Sequence, residues 1–197
     1  MSDYLSPLAD RELHLMLQSA RAVLIEGNKW CGKTRTAEQA AQSALYMQDS
    51  VRIASCLMAA AVQPSLLLAG DVPRLIDEWQ LTPAFWDTLR FAVDQRRAKN
   101  QFILAGSSVP PKDSMSHSGA GRIARMRMWP MSLFESGEYN GTVSLQALYN
   151  GQHTFSAASS IDLHHAAYLI ARGGWPASMK KATGRPCEVH IIISMRW

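Results

Sequence analysis

Residues 27–34, GNKWCGKT, constrain the fold of this 197-residue chain more than any other stretch. They follow the pattern G-x-x-x-x-G-K-[ST] and come directly after the apolar run AVLI at residues 22–25. In this pattern a buried strand leads through a glycine-rich turn into a helix, and the backbone amides of the turn surround a phosphate group. We therefore predict that residues 27–34 form a phosphate-binding loop, here called the P-loop. The alternative is that the glycines close an ordinary strand-to-helix turn.

Apolar runs and amphipathic stretches alternate along the rest of the chain. The apolar runs predict strands at 21–26, 45–48, 73–80 and 101–106, and residues 125–128 alternate between arginine and methionine. The helical spacings predict helices at 9–20, 34–44, 51–61, 83–97, 144–149 and 161–172, and a short helix that begins in 131–135. Strands that alternate with helices form a parallel sheet covered on both faces, so the predicted fold class is α/β.

The composition sets broad limits on the protein class. With 47% hydrophobic residues, the chain can bury one good core. The net charge of +4 fits either nucleic acid or a phosphate-rich ligand and does not decide between them. The chain has no apolar window of about 18 residues and no signal-peptide pattern at its start, so we expect a cytoplasmic protein without a membrane span. Its three cysteines are widely spaced, and we expect neither a disulfide framework nor a zinc site.

The P-loop residues have distinct expected roles in binding a nucleotide. Gly27 and Gly32 allow the required backbone, and the Lys33 ammonium is expected to neutralise the β- and γ-phosphates. The Thr34 hydroxyl is expected to bind Mg²⁺. Cys31 lies near a helix start and a lysine, which would lower its thiol pKa, and Trp30 is expected to pack or to shield the base. The full predicted nucleotide-binding set is Gly27, Asn28, Lys29, Trp30, Cys31, Gly32, Lys33, Thr34 and Arg35.

Two strand ends supply candidate partners for the P-loop. Asp77 and Glu78 follow the apolar run at 75–76, where Asp77 is the expected second metal ligand and Glu78 the expected general base that activates water. The alternative for this pair is a solvated strand end. Ser107 ends the next strand, where its hydroxyl could sense the γ-phosphate or orient the water, although serine is also common in turns.

Three arginines follow a stretch at 109–121 that is rich in Pro, Ser and Gly. Arg122, Arg125 and Arg127 are candidates for an arginine finger, a cation that stabilises the charge of the transition state. They also fit the polar face of an edge strand, or contacts with the phosphates of nucleic acid. The alternation of residues cannot separate these three roles.

Five motifs in order resemble those of the prokaryotic AAA-type P-loop ATPases that carry a C-terminal domain of unknown function. The motifs are GNKWCGKT, RLIDEWQ, QFILAGSS, HSGAGRIARMRMWPMSLFESGE and ARGGWPAS. The resemblance implies that Lys33 and Thr34 belong to Walker A, Asp77 and Glu78 to Walker B, and Ser107 or Ser108 to the sensor position. It also implies a three-layer fold of the additional-strand class, with a central, mostly parallel five-stranded sheet. Relatives of this kind usually continue into a winged-helix and nuclease-like region, which the residues after Ser178 do not resemble.

The resemblance and the motifs together predict three segments and a function. We expect a P-loop ATPase core at 1–150, a helical lid-like segment at 151–179 and an atypical tail at 180–197 that looks truncated or frameshifted. The expected function is ATP binding with Mg²⁺-dependent hydrolysis, as the switch or motor of a larger system that includes further copies or a partner protein. The alternative is a non-hydrolysing nucleotide-binding module that contacts DNA. A small-molecule kinase is disfavoured by the adjacent Asp77 and Glu78.

Overall fold

The computed structural model of the protein describes residues 4–82, 85–106, 121–139, 141–151, 159 and 161–179. The chain divides into two compact units. One unit is Ser6–Trp129, and the other combines Met1–Leu5 with Pro130–Trp197. The segment boundary predicted at residue 150 stays a prediction.

A five-stranded parallel sheet forms the centre of the first unit, in the order β2-β3-β4-β1-β5. This finding confirms the predicted α/β fold with a central five-stranded sheet. Strand β4 lies between β1 and β3, as expected for the additional-strand class. The strands are β1 Ala22–Gly27, β2 Ser43–Tyr46, β3 Arg74–Asp77, β4 Phe102–Ala105 and β5 Ile123–Met128.

Helices cover both faces of this sheet because its central strands are apolar on both sides. One face packs against α1 Leu8–Ser19 and α2 Lys33–Ala40. The other face packs against α3 Ile53–Val62, a 3-10 helix at Pro64–Leu68 and α4 Phe85–Arg96. All four residues of β4 are fully buried. The core is therefore a three-layer arrangement whose parallel strands end at one common edge.

Two helix predictions differ from the structure. The helix predicted at 34–44 ends at Ala40, because Ala41 is extended and the Gln42 N–H donates to the Pro73 carbonyl at 2.8 Å. Pairing with β3 thus outweighs the helix propensity of an alanine- and glutamine-rich stretch. The short helix predicted to begin in 131–135 is also wrong, since residues 133–137 form turns.

The described residues of the second unit include the short helices α5 Leu145–Tyr149, α6 Leu163–Arg172 and α7 Pro176–Met179. The Asp162 carboxylate caps α6 by accepting from the His165 N–H at 2.7 Å. Arg172, at the end of α6, is 7% exposed and donates to Glu138 at 2.7 Å. This buried ion pair ties α6 to the segment before residue 140. Among the described residues of the chain, no helix is long and apolar enough to cross a membrane.

Candidate nucleotide site

The P-loop connects the end of β1 to the start of α2 through a strained backbone. Gly32 caps α2 with φ 108°, and Trp30 has φ 66°, which is unusual for a residue with a side chain. A Cβ atom on Gly27 would lie 2.3 Å from the Met128 carbonyl oxygen, so only glycine lets β1 approach β5 this closely. The local conformation therefore explains both glycines of the motif.

Lys33 starts α2 and is 7% exposed. Its ammonium group donates to the carbonyl oxygens of Gly27 at 2.9 Å and Asn28 at 2.8 Å. An ammonium has three N–H donors, so these two bonds hold the charge against the loop and leave a donor to point at a phosphate oxygen. The position agrees with the predicted role of Lys33.

Thr34 and Asp77 meet at the common edge of the sheet although 43 residues separate them. The Thr34 hydroxyl donates to the Asp77 carboxylate, with Oγ1 to Oδ1 at 3.1 Å and Oγ1 to Oδ2 at 3.2 Å. Mg²⁺ prefers oxygen ligands and usually binds through one or two protein groups together with substrate phosphates. The hydroxyl and the carboxylate therefore fit the ion that the fold family implies.

Asp77 is 2% exposed, and this burial raises its carboxyl pKa to about 6. The neighbouring Glu78 charge adds to the increase, whereas the Thr34 hydrogen bond and the Lys33 charge oppose it. A buried carboxylate whose negative charge is only partly balanced by its neighbours is stabilised by a cation beside it. The electrostatics thus agree with the choice of ligands.

Glu78 follows β3 in a left-handed conformation, with φ 53°. Its N–H donates to the Ala105 carbonyl at 2.8 Å, which fixes the residue at the end of β4. Its carboxylate accepts a hydrogen bond from the side-chain amide of Gln80. The amide oxygen of Gln80 is close to Gly106, where an added Cβ would lie 2.3 Å from it. Gln80 therefore connects the predicted general base to the end of β4.

Sequence reasoning missed Gln80. It stands two residues after Glu78 without a recognisable spacing, and only the 3-10 helix Trp79–Leu81 brings its amide back to the carboxylate. Ser107 and Ser108 lie outside the described residues. Their predicted sensor role stays a prediction, based on the position of Ala105 at the end of β4 between β1 and β3.

Two of the three arginines lie on β5, and Arg122 directly precedes this strand. Arg125 pairs with Glu26 of β1 at 3.1 Å, and the Arg127 guanidinium lies 4.2 Å from the ring centre of Trp129. Both alternate with the buried Met126 and Met128, which confirms the predicted basic face.

Arg122 lies at the other end of β5. It pairs with Asp94 of α4 at 2.6 Å and, with Arg21 and Arg97, lines an open cleft. Strand β5 is about 20 Å long at 3.3 Å per residue, so the structure does not bring Arg122 to the P-loop of the same chain. A finger role for Arg122 thus stays a prediction that requires the site of another copy.

Two further residues of the predicted nucleotide-binding set are Arg35 and Cys31. The Arg35 side chain is 70% exposed and pairs with Glu38 at 3.1 Å. Cys31 is fully buried, and its thiol lies 3.8 Å from the Met128 carbonyl oxygen. Burial raises the pKa of this thiol, outweighing the nearby Lys33 charge. The predicted lowering of the Cys31 pKa is therefore wrong.

The AAA domain family matches residues 19–137, which is more than half of the chain and includes all five strands. The chain belongs to the AAA domain family. It is therefore a nucleotide-binding domain of the ATPase type, and the predicted P-loop at residues 27–34 lies within the matched range.

A solved structure of C. elegans PCH-2 is similar to this AAA domain at 14% sequence identity, with a TM-score of 0.32. The similarity covers 93% of this chain and 53% of that chain, so this AAA domain spans about half the length of PCH-2. No curated protein matches the chain. The family assignment rests on the match to residues 19–137.

Proposed function

We propose that this AAA domain binds ATP with Mg²⁺ at the P-loop and hydrolyses it, as the switch or motor of a larger system. The observation that carries the proposal is the hydrogen bond between Thr34 and Asp77. It joins the P-loop helix to a buried carboxylate across two strand positions of the sheet. Such a pair of oxygen ligands serves the metal that accompanies a nucleoside triphosphate.

The chain's own residues can perform the binding step. The amides of the P-loop and the start of α2 face the phosphate oxygens, where the helix dipole favours negative charge. Lys33 adds a point charge at the β- and γ-phosphates. Thr34 and Asp77 would hold Mg²⁺, which neutralises phosphate charge when bound.

Glu78 is the proposed general base for hydrolysis. Its carboxylate accepts a proton from water while the water oxygen bonds to the γ-phosphorus, and the bond from that phosphorus to the bridging oxygen breaks to release ADP. The amide of Gln80 holds this carboxylate at the end of β4. Gln80 is thus a positioning residue, because its amide fixes the position of the Glu78 carboxylate before water binds.

Binding is tested by calorimetry with ATP and Mg²⁺. Lys33→Ala is expected to abolish binding, because the ammonium lies inside the loop. Lys99→Ala is the matched control, since it removes the charge of an exposed lysine between α4 and β4 and leaves the P-loop in place. Equal affinity of the Lys33→Ala and wild-type proteins would refute the proposed site.

The alternative proposal is a nucleotide-binding module that does not hydrolyse ATP and contacts nucleic acid. The open cleft lined by Arg21, Arg97 and Arg122 favours it, because guanidinium groups bind phosphates well and the one carboxylate among the described lining residues, Asp94, balances only part of their charge. In this case ATP and Mg²⁺ would raise the melting temperature without phosphate release, with or without DNA. A double variant, Arg97→Ala with Arg122→Ala, would then lose DNA binding and keep ATP binding.

A further inference from the structure

The strand order separates two sides of the P-loop. The groups proposed for hydrolysis, Asp77 and Glu78, belong to β3 and its end, which lie beyond β4 on one side of β1. Strand β5 lies on the other side of β1. Because the γ-phosphate must point toward Asp77 and Glu78, the nucleoside end of the ligand has to leave on the β5 side. The ligand of a parallel sheet binds at the carboxyl ends of its strands, so the end of β5 is the place to search for a base contact.

Trp129 immediately follows β5 at this edge. The preceding residue, Met128, is in register with Gly27, and its carbonyl oxygen lies 3.8 Å from the Cys31 thiol. The backbone of residue 128 therefore touches the P-loop at two points, and Trp129 is the next residue along the chain.

The indole of Trp129 is 61% exposed, a large apolar surface to leave in water. The Arg127 guanidinium lies 4.2 Å from the ring centre, which places a planar cation on the indole. Arg127 also shares its face of β5 with Arg125, which pairs with Glu26. Arg127 and Trp129 thus form a flat cationic surface on either side of Met128, whose backbone contacts the P-loop, and we call this pair the indole platform.

We propose that the indole platform stacks the base of the bound nucleotide. This inference rests on the proposed nucleotide site and adds the residues that recognise the nucleoside. Stacking requires only a flat π-face, so the platform takes any nucleobase and prefers the larger purines. Trp30, which is 40% exposed and has Lys29 5.5 Å from its ring centre, belongs to the phosphate-wrapping loop and is assigned to the phosphate side.

The test compares two ligands, Mg²⁺-ATP and Mg²⁺-tripolyphosphate, which share the phosphate chain and differ in the nucleoside. Affinities are measured by calorimetry on the whole chain. Trp129→Ala is expected to weaken ATP binding about tenfold, the effect typical of losing one base stack, and to leave tripolyphosphate binding unchanged. Trp129→Phe is expected to restore most of the ATP affinity because it keeps an aromatic face.

Phe91→Ala is the matched control, since Phe91 is 65% exposed on α4, away from the P-loop edge. The indole platform is refuted if Trp129→Ala leaves ATP affinity unchanged, if it weakens both ligands equally, or if Trp30→Ala alone produces the ATP-specific loss. If the wild-type protein binds tripolyphosphate no better than the Lys33→Ala variant, the proposed nucleotide site itself is wrong. The indole platform is then refuted as well, because it depends on that site.

Discussion

Replacing Asp77 by asparagine separates two effects of its buried charge: the loss of folding stability and the proposed binding of Mg²⁺. The carboxylate is 2% exposed, and its pKa rises from 3.8 to about 6 on folding. Asparagine keeps an oxygen acceptor for the Thr34 hydroxyl but cannot ionise. The nucleotide-free variant should therefore be more stable than the wild-type protein at neutral pH.

The size and sign of this effect follow from proton linkage. The folded protein holds the Asp77 proton more tightly than the unfolded chain does, so the wild-type free energy of unfolding falls as the pH rises from about 4 through 6. At about 1.4 kcal/mol per pKa unit, Asp77 costs about 3 kcal/mol at pH 8 and about 1 kcal/mol at pH 4.5. Asp77→Asn should remove both costs.

The assay is urea denaturation of both proteins at pH 4.5 and pH 8 without nucleotide. The stability difference should grow with pH, and Asp87→Asn, at a carboxylate that is 57% exposed, should show no such growth. Added Mg²⁺-ATP should then stabilise the wild-type protein more than Asp77→Asn, because only the carboxylate supplies a charged metal ligand. If Asp77→Asn is less stable than wild type at pH 8, the cost of burying the charge does not dominate the effect of this residue on the free energy of unfolding.

Three further predictions concern the loop and the base. Gln80→Ala should change the turnover rate severalfold and leave ATP affinity unchanged, because the Gln80 amide donates its hydrogen bond to Glu78; steady-state kinetics and calorimetry separate the two effects. Gly32→Ala should destabilise the protein by about 1–3 kcal/mol, since φ 108° is strained for alanine; denaturant unfolding measures this. Cys31 should resist iodoacetamide at pH 7.5 in the native protein, since it is fully buried with a raised pKa, and react after unfolding; peptide mapping by mass spectrometry detects the label.

Each of these predictions has a contrary outcome. For Gln80, a loss of ATP affinity equal to the loss of rate would show that it binds nucleotide; Gln39→Ala, on the outer part of α2, is the control. For Gly32, unchanged stability of Gly32→Ala would show that its positive φ is not strained for alanine; Gly137→Ala, at a φ of 78° with nothing within 4 Å of an added Cβ, should also lose stability. Rapid native labelling of Cys31 would show that the loop opens.

The P-loop and its acidic partner could be predicted from the sequence because local chemistry defines them. The same short turn requires the residue types found at Gly27, Gly32 and Lys33. Asp77 ends an apolar run that follows the turn in the expected order. The parallel sheet followed from the alternation of strands and helices. These signals depend on neighbours along the chain; the parallel sheet is confirmed, and the nucleotide-binding roles of Lys33 and Asp77 stay predictions.

The remaining features depend on neighbours in space. The contact of Gln80 with Glu78 requires a 3-10 turn, and the nearness of Trp129 to the P-loop requires the register between β1 and β5. The pKa of Cys31 was mispredicted because burial under Met128 cannot be read from a lysine two residues away. Arg122 and Arg125 look equivalent in sequence, but Arg122 precedes β5 and pairs with Asp94 of α4, whereas Arg125 lies within β5 and pairs with Glu26 of β1.

Phosphate release from ATP and Mg²⁺ by the wild-type and Glu78→Gln proteins tests the central claim most directly. The measurement is made at several protein concentrations, so that a site completed by a second copy is included. The wild-type protein should release phosphate, and Glu78→Gln should bind ATP equally well while its release falls at least about 100-fold, as expected for the loss of a general base. Equal rates for the two proteins, or no release by the wild-type protein at any concentration, would contradict the account.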